Sequence, residues 1–203
     1  MLPPVFKKFI QLLDSFPEIG PRQAWRLFFW LLRQDNKFKD AFIETLKVIR
    51  EQTIFCSLCF SPTLVSQNGS SPALCDICSN PKRDKSILCL VARETDLITL
   101  EETKKYNGLY FILGGLLLPY EEKELIQDRL KKLQEKLKLD NKIKQVIIAL
   151  PLTREAEPTL QAVEKILKQF VSVKTSRPRR GLPLGGEIEF MDPETLSEAL
   201  FNQ

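Results

Sequence analysis

Ser86-Ile87-Leu88-Cys89-Leu90-Val91-Ala92 is an almost unbroken apolar run of strand length, and it opens a repeating pattern. A polar helical stretch over residues 94–105 follows, then a second apolar run, Leu109-Tyr110-Phe111-Ile112-Leu113, and a long helical stretch over 120–139. Gln145-Val146-Ile147-Ile148-Ala149-Leu150 reads as a third strand, residues 155–170 as another helix, and Val171 to Lys174 as a fourth strand. Strands apolar on both faces, alternating with helices, predict a mainly parallel sheet covered by helices. Glu187-Ile188-Glu189-Phe190 predicts an added edge strand, and Asp192-Pro193 the start of a last helix through Leu196, Ala199 and Leu200. Cys89, inside the first run, reads as a buried apolar residue rather than a ligand or nucleophile.

Immediately upstream, two tight pairs, Cys56-Ser57-Leu58-Cys59 and Cys75-Asp76-Ile77-Cys78, are separated by 15 residues. At that spacing two knuckles close on one tetrahedral zinc ion. The chain has no histidine, so every soft ligand is a thiolate and these four make a complete set. The same absence excludes Ser-His-Asp triads, Cys-His nucleophiles and His-based nucleases. Two disulfides are the rival reading. A start of Met-Leu-Pro-Pro without a secretion signal, and 30 lysines and arginines, favour a reducing cytoplasm and hence the metal. The loop from Phe60 to Leu74, with Pro62, Gly69, Ser70, Ser71 and Pro72, has too little apolar content for its own core. Metal must supply most of the order there. Four thiolates fill the shell, so the predicted zinc is structural, one per chain.

Towards the amino terminus, residues 5–14 (Val5, Phe6, Phe9, Ile10, Leu12, Leu13) have helical spacing. A breaker-rich turn, Ser15-Phe16-Pro17-Glu18-Ile19-Gly20-Pro21-Arg22, leads into a second helix with Pro21 suited to its first turn. That helix, through Trp25, Leu27, Phe28, Phe29, Trp30, Leu31 and Leu32, is too apolar for a one-sided surface helix. Cover by a neighbouring helix or another subunit is expected. Phe38, Ala41, Phe42, Leu46, Val48 and Ile49 mark a third helix over residues 36–51.

With 203 residues and 43% hydrophobic content, the chain can bury one good core and carry one or two small modules. No apolar run reaches membrane-spanning length; the nearest, residues 108–119, is broken by Gly114, Gly115 and Pro119. A net charge of +4 is mild. Its placement says more, because Lys174, Arg177, Arg179 and Arg180 stand in residues 173–186 with no acid among them. The dense mixed charge of residues 101–142 reads as solvated helix faces.

Two segments are candidate sites. The turn at residues 17–22 presents backbone N–H groups at a helix N-terminus, which suits a phosphate. Arg22 and Arg26 fall on one helix face just beyond it. An ordinary helical hairpin with solvated arginines fits the same residues. Thr153-Arg154-Glu155-Ala156-Glu157 sets two carboxylates at the carboxyl end of the sheet, where such folds bind ligands and where a pair could hold magnesium. Acids favouring a helix macrodipole, with Pro158 in the first turn, account for that segment better. Gly181-Leu182-Pro183-Leu184-Gly185-Gly186 lacks the lysine and the serine or threonine of a P-loop and opens no helix, so it reads as a rigid turn.

In this order the parts resemble the family of bacterial recombination mediators known as RecR, over nearly the whole chain. The resemblance is carried by Pro17-Glu18-Ile19-Gly20-Pro21-Arg22-Gln23-Ala24-Trp25-Arg26-Leu27, by the four paired cysteines and by Arg83-Asp84-Lys85-Ser86. Tyr106-Asn107-Gly108-Leu109-Tyr110, Leu113-Gly114-Gly115 and the string from Gly181 to Phe190 continue it. It implies an α+β protein of several modules. These are a helix-hairpin-helix domain over residues 1–54, a four-cysteine zinc finger over 55–80, an α/β Toprim domain over 81–175 and a C-terminal assembly segment of strand and helix over 176–203. It implies double- and single-stranded DNA binding through Gly20, Arg22 and Arg26, with Glu155 and Glu157 as a partner-binding acidic pair. It further implies dimers or ring-like tetramers at the nucleoid in the cytoplasm, away from membranes. There they work with RecO, and in many bacteria RecF, to load RecA onto gapped DNA coated by single-strand-binding protein.

Departures from the family pattern sharpen the choice. Glu18 stands where the hairpin usually has glycine, and Ala156 stands between the two acids. A Gly-Ile-Gly-Pro insertion after the second strand is missing. Toprim enzymes carry a glutamate at the end of the first strand, where this chain has Ala92; Glu94 reaches that place only if the strand extends to it. Tyr106, Tyr110 and Tyr120 have no nucleophile context. These features favour a non-catalytic clamp over a magnesium-dependent Toprim enzyme. Glu18 suggests a third reading, a zinc-stapled interaction module with weak DNA binding, over which the clamp is still preferred.

Overall fold

The structure, a computed structural model, describes residues 2–65, 73–118, 124–178, 182, 185 and 187–201. Gly69 to Pro72, Pro119, Tyr120, Arg179, Arg180 and most of the 181–186 turn lie outside the described residues. The chain divides into two compact units, Met1–Thr53 and Ile54–Gln203.

In the first unit, α1 (Pro4–Asp14) and α2 (Pro21–Arg33) pack across Ile10, Ala24 and Phe28, with Phe6 and Phe9 against the Phe28 ring. Helix α3 (Asn36–Gln52) starts at Asp35, whose carboxylate accepts from Phe38 N–H at 2.7 Å. This helix buries no residue. Trp25, Phe29 and Trp30 on α2 and Phe42, Leu46 and Ile49 on α3 stay exposed. The surplus apolar character of α2 is thus only partly covered within one chain.

The second unit begins with a two-stranded sheet, β1 (Thr53–Phe55) and β2 (Pro62–Leu64), around the first cysteine pair. A short helix, α4 (Asp76–Ser79), carries the second. Then follow β3 (Asp84–Val91), α5 (Glu94–Glu102), β4 (Gly108–Ile112), α6 (Glu124–Leu139), β5 (Gln145–Ala149), α7 (Glu157–Leu167) and β6 (Lys174–Ser176). The last four strands form one parallel sheet in the order β4-β3-β5-β6. On one face Leu88, Leu90, Phe111, Val146 and Ile148 pack against Leu130 and Leu133 of α6 and Val163 of α7. On the other, Cys89, Val91, Tyr110 and Ile112 pack against Leu97 of α5 and the four paired cysteines. This two-sided cover is why the strands read as continuous apolar runs. Cys89 is buried, and burial pushes its thiol up to about 12, so it is an inert core residue.

Two sequence expectations are corrected. The last strand starts at Lys174, whose N–H reaches Lys144 O at 2.8 Å, and not at Val171, which is 96% exposed in the turn after α7. Apolar letters there suggested a strand, but Val173 N–H bonds back to Phe170 O and keeps the chain turning. The predicted edge strand at 187–190 is a 3₁₀ turn, Ile188–Phe190, closed by Phe190 N–H on Glu187 O at 3.2 Å. Its i→i+3 bond satisfies the backbone locally, and Ile188 and Phe190 face solvent. A final helix, α8 (Pro193–Phe201), begins at Asp192, which accepts from Thr195 N–H. Among the described residues, no helix is long and apolar enough to cross a membrane.

Candidate functional site

The first cysteine pair forms a knuckle. Phe60 N–H donates to Cys56 O at 3.0 Å, Ser61 N–H to Cys59 Sγ at 3.4 Å, and Cys56 N–H to Ser61 O at 2.8 Å. Phe60 closes it in a left-handed conformation, φ 67°. Cys75 precedes α4 and Cys78 lies within it, while Ser57 N–H to Ala73 O at 3.0 Å brings the two pairs together. All four sulfurs are buried, lie within 4.8 Å of one another and form no disulfide. Sulfurs at about 2.3 Å from a tetrahedral ion are about 3.8 Å apart, so the cluster fits one such ion. Hydrogen bonds from Cys59 and Cys78 pull the Cys75 thiol down to about 2, and the bond to Cys75 pushes Cys59 up to about 12. A bound cation would displace the thiol protons.

Two supports of this metal site are not visible in the sequence. The Phe60 ring meets Phe111 edge-on at 5.1 Å and carries the Arg129 guanidinium 3.4 Å from its centroid. That stack holds a cation whose Nε and Nη1 are buried without hydrogen-bond partners, and burial lowers its pKa. Where the cysteine module joins the sheet, Arg83 pairs with Glu101 through both guanidinium ends, Nη1 to Oε1 at 2.9 Å. It also donates to Tyr106 O and Gly108 O. Arg83 holds the Glu101 carboxyl below the usual carboxylate range. Gly108 admits no side chain, because an added Cβ would lie 2.3 Å from Tyr106 Oη and 2.7 Å from Ile87 O.

At the hairpin of the first unit, Ile19 N–H closes a four-residue turn on Phe16 O at 3.1 Å, with Pro17 second and Glu18 third. Glu18 has φ 64°, a conformation that favours glycine. Gly20 precedes α2 without any side-chain cap, and open space surrounds the place of a Cβ. Arg22 and Arg26 are both exposed, on the side away from Ala24 and Phe28. Among the described residues neither forms an ion pair.

The carboxyl end of the sheet has its switch point between β3 and β5, the usual ligand crevice of such folds. The chain fills it. Gly115 N–H donates to Ala92 O at 2.8 Å, and Leu117 N–H to Oγ1 of the fully buried Thr159 on α7 at 2.7 Å. Leu116 and Leu117 pack on the core, and Ala92 and Ala156 are buried. Glu94 is the first residue of α5, not an extension of β3. Glu155 and Glu157 flank Ala156 and remain exposed. Glu155's own backbone N–H and the Thr153 hydroxyl lower its pKa, and Glu157 accepts from Gln161 at 3.3 Å. Among the described residues, only the four cysteines gather three or more metal-ligating groups.

The parallel four-stranded sheet is that of a Toprim domain, since residues 86–176 match the family model of that description. Residues 181–202 match the model described as RecR, C-terminal. Recombination protein RecR of Moorella thermoacetica is 36% identical over 197 residues, 97% of this chain and 94% of that protein. That of Bifidobacterium adolescentis is 34% identical over 193 residues, 94% and 92% of the two chains. That of Rippkaea orientalis is 34% identical over 200 residues, 98% and 96%. The chain belongs to the RecR family of recombination proteins.

Proposed function

We propose that the protein is a non-catalytic DNA-binding clamp of recombinational repair. It acts at the nucleoid with RecO, and with RecF where that is present, to load RecA onto gapped DNA coated by single-strand-binding protein. The observation that carries the non-catalytic reading is Ala92, buried at the strand end, with Leu117 tied to Thr159 beside it. Residue 92 is alanine, and the chain has no histidine to serve as a general acid or base beside the acidic pair. Glu155 and Glu157 then serve as a partner-binding patch. Gly20, Arg22 and Arg26 grip the phosphate backbone, and one structural zinc sits on Cys56, Cys59, Cys75 and Cys78. The exposed aromatic residues of α2 and α3 support assembly into dimers or ring-like tetramers.

The test is DNA binding by the Arg22→Ala/Arg26→Ala double variant. Affinity should fall alike for all sequences, and the salt dependence should drop by about two phosphate contacts. Unchanged affinity and salt slope would remove the hairpin from the reading. Magnesium-dependent DNA cleavage abolished by Glu155→Ala would replace the clamp with an enzyme. Glu18 favours a second reading, an interaction module with weak DNA binding, because it sets a carboxylate beside the arginines. Wild-type affinity no stronger than that of the double variant would select that reading.

A further inference from the structure

We infer that the amino-terminal rim of the parallel sheet is a second, sequence-indifferent binding surface for the phosphate backbone of nucleic acid. Because all four strands are parallel, their starts share one rim, and the helices return to it. The four segments on that rim, residues 80–85, 103–107, 138–144 and 168–174, hold three, two, three and two lysines or arginines, ten together, against only Asp84 and Asp140. Arg83 is engaged with Glu101; the nine lysines are in no ion pair among the described residues. Lys85, Lys144 and Lys174 are exposed at the starts of the adjacent strands β3, β5 and β6. With strands about 4.8 Å apart, they span about 10 Å, the length over which about three phosphates of one DNA strand repeat.

Asp84, held ionised by Ser86 N–H and Oγ at 2.8 and 2.7 Å and by the charge of Lys144, offsets one of the ten positive charges. An independent sign comes from Lys104. It holds a left-handed backbone, φ 55°, just past the end of α5, with its N–H on Glu101 O at 2.9 Å. Helices commonly end there on glycine; here the position carries a lysine, which faces the negative end of the helix dipole and adds to the charge of the rim. The opposite rim mixes Glu94, Asp96, Glu155 and Glu157 with Arg93, Arg154 and Arg177, so the excess of one sign is confined to the amino-terminal rim. Like charge strung across adjacent strands fits a polyanion backbone better than a short acidic peptide.

This inference rests on the reading that the protein binds DNA. Fluorescence anisotropy of the full chain on labelled single-stranded and duplex DNA, over a salt series, tests it. The Lys85→Gln/Lys105→Gln/Lys144→Gln/Lys174→Gln variant should lose at least about tenfold in affinity at low salt, and its log–log salt slope on duplex should fall by about three. Arg22→Ala/Arg26→Ala is run beside it. A quadruple variant indistinguishable from wild type overturns the rim whatever the hairpin variant does. A loss confined to the quadruple variant upholds the rim and removes the hairpin. Wild type without affinity for DNA overturns both. Unchanged DNA binding with lost binding to polyglutamate assigns the rim to an acidic protein segment instead.

Discussion

Glu18 combines a left-handed backbone with a carboxylate next to Gly20, Arg22 and Arg26. Replacing it by glycine relieves the backbone and removes the charge, so Glu18→Gly should stabilise the protein by about 0.5–1 kcal/mol in thermal melts. It should also tighten DNA binding. The departure was legible in the sequence, and Pro17 before it marked the turn; the left-handed φ of a charged residue was not. Glu101 gives a pH-dependent prediction. Its carboxyl pKa is lowered in the folded state, chiefly by Arg83, so the pair contributes stability above the ordinary value of 4.5. That contribution is lost as pH falls through the lowered folded value. Glu101→Gln should cost about 2 kcal/mol at neutral pH in urea unfolding. The gap to wild type should close as the solution is acidified below about pH 4.5. A gap of constant size would show that Arg83 is held by the carbonyls of Tyr106 and Gly108 alone.

Among the elements, the segment from Gly114 to Leu118 has the largest consequence, because it ties the end of β3 to α7. Its anchor is one hydroxyl, Thr159 Oγ1, accepting from Leu117 N–H inside the core. Thr159→Val keeps the shape and removes the acceptor, leaving a buried N–H unpaired. We expect a loss of about 1–3 kcal/mol by denaturant unfolding. Neither the anchor nor the stack of Arg129 on Phe60 could be read from the chain, since both join residues far apart in sequence. The central strands could be read, because burial on two faces writes itself as uninterrupted apolar letters. The margins could not: Val171 and Val173 look like strand but end a turn, and Glu187 to Phe190 alternate as a strand would while bonding locally. Periodicity reports which side chains suit a sheet, and not whether an edge is there to receive them.

At the scale of the molecule, two units with different needs share one chain. The first leaves aromatic side chains of α2 and α3 in solvent, and light scattering should show the proposed assembly dissolving in Trp30→Glu with the fold of the second unit kept. The second unit was largely legible, because paired cysteines and apolar strands each carry a short-range signature. What the signature omitted is where the metal module sits. Cys59 O accepts Ile112 N–H at 3.0 Å, on β4, the outer strand of the sheet. A strand edge left open is a template for pairing with another chain. Stripping the metal with a chelator should therefore do more than loosen a loop: it should bare β4 and drive concentration-dependent aggregation rich in β structure, seen by turbidity and infrared absorption. Soluble, unaggregated apoprotein would show that the edge stays covered without the ion. The cysteines thus guard a border, keeping the sheet from growing past its last strand.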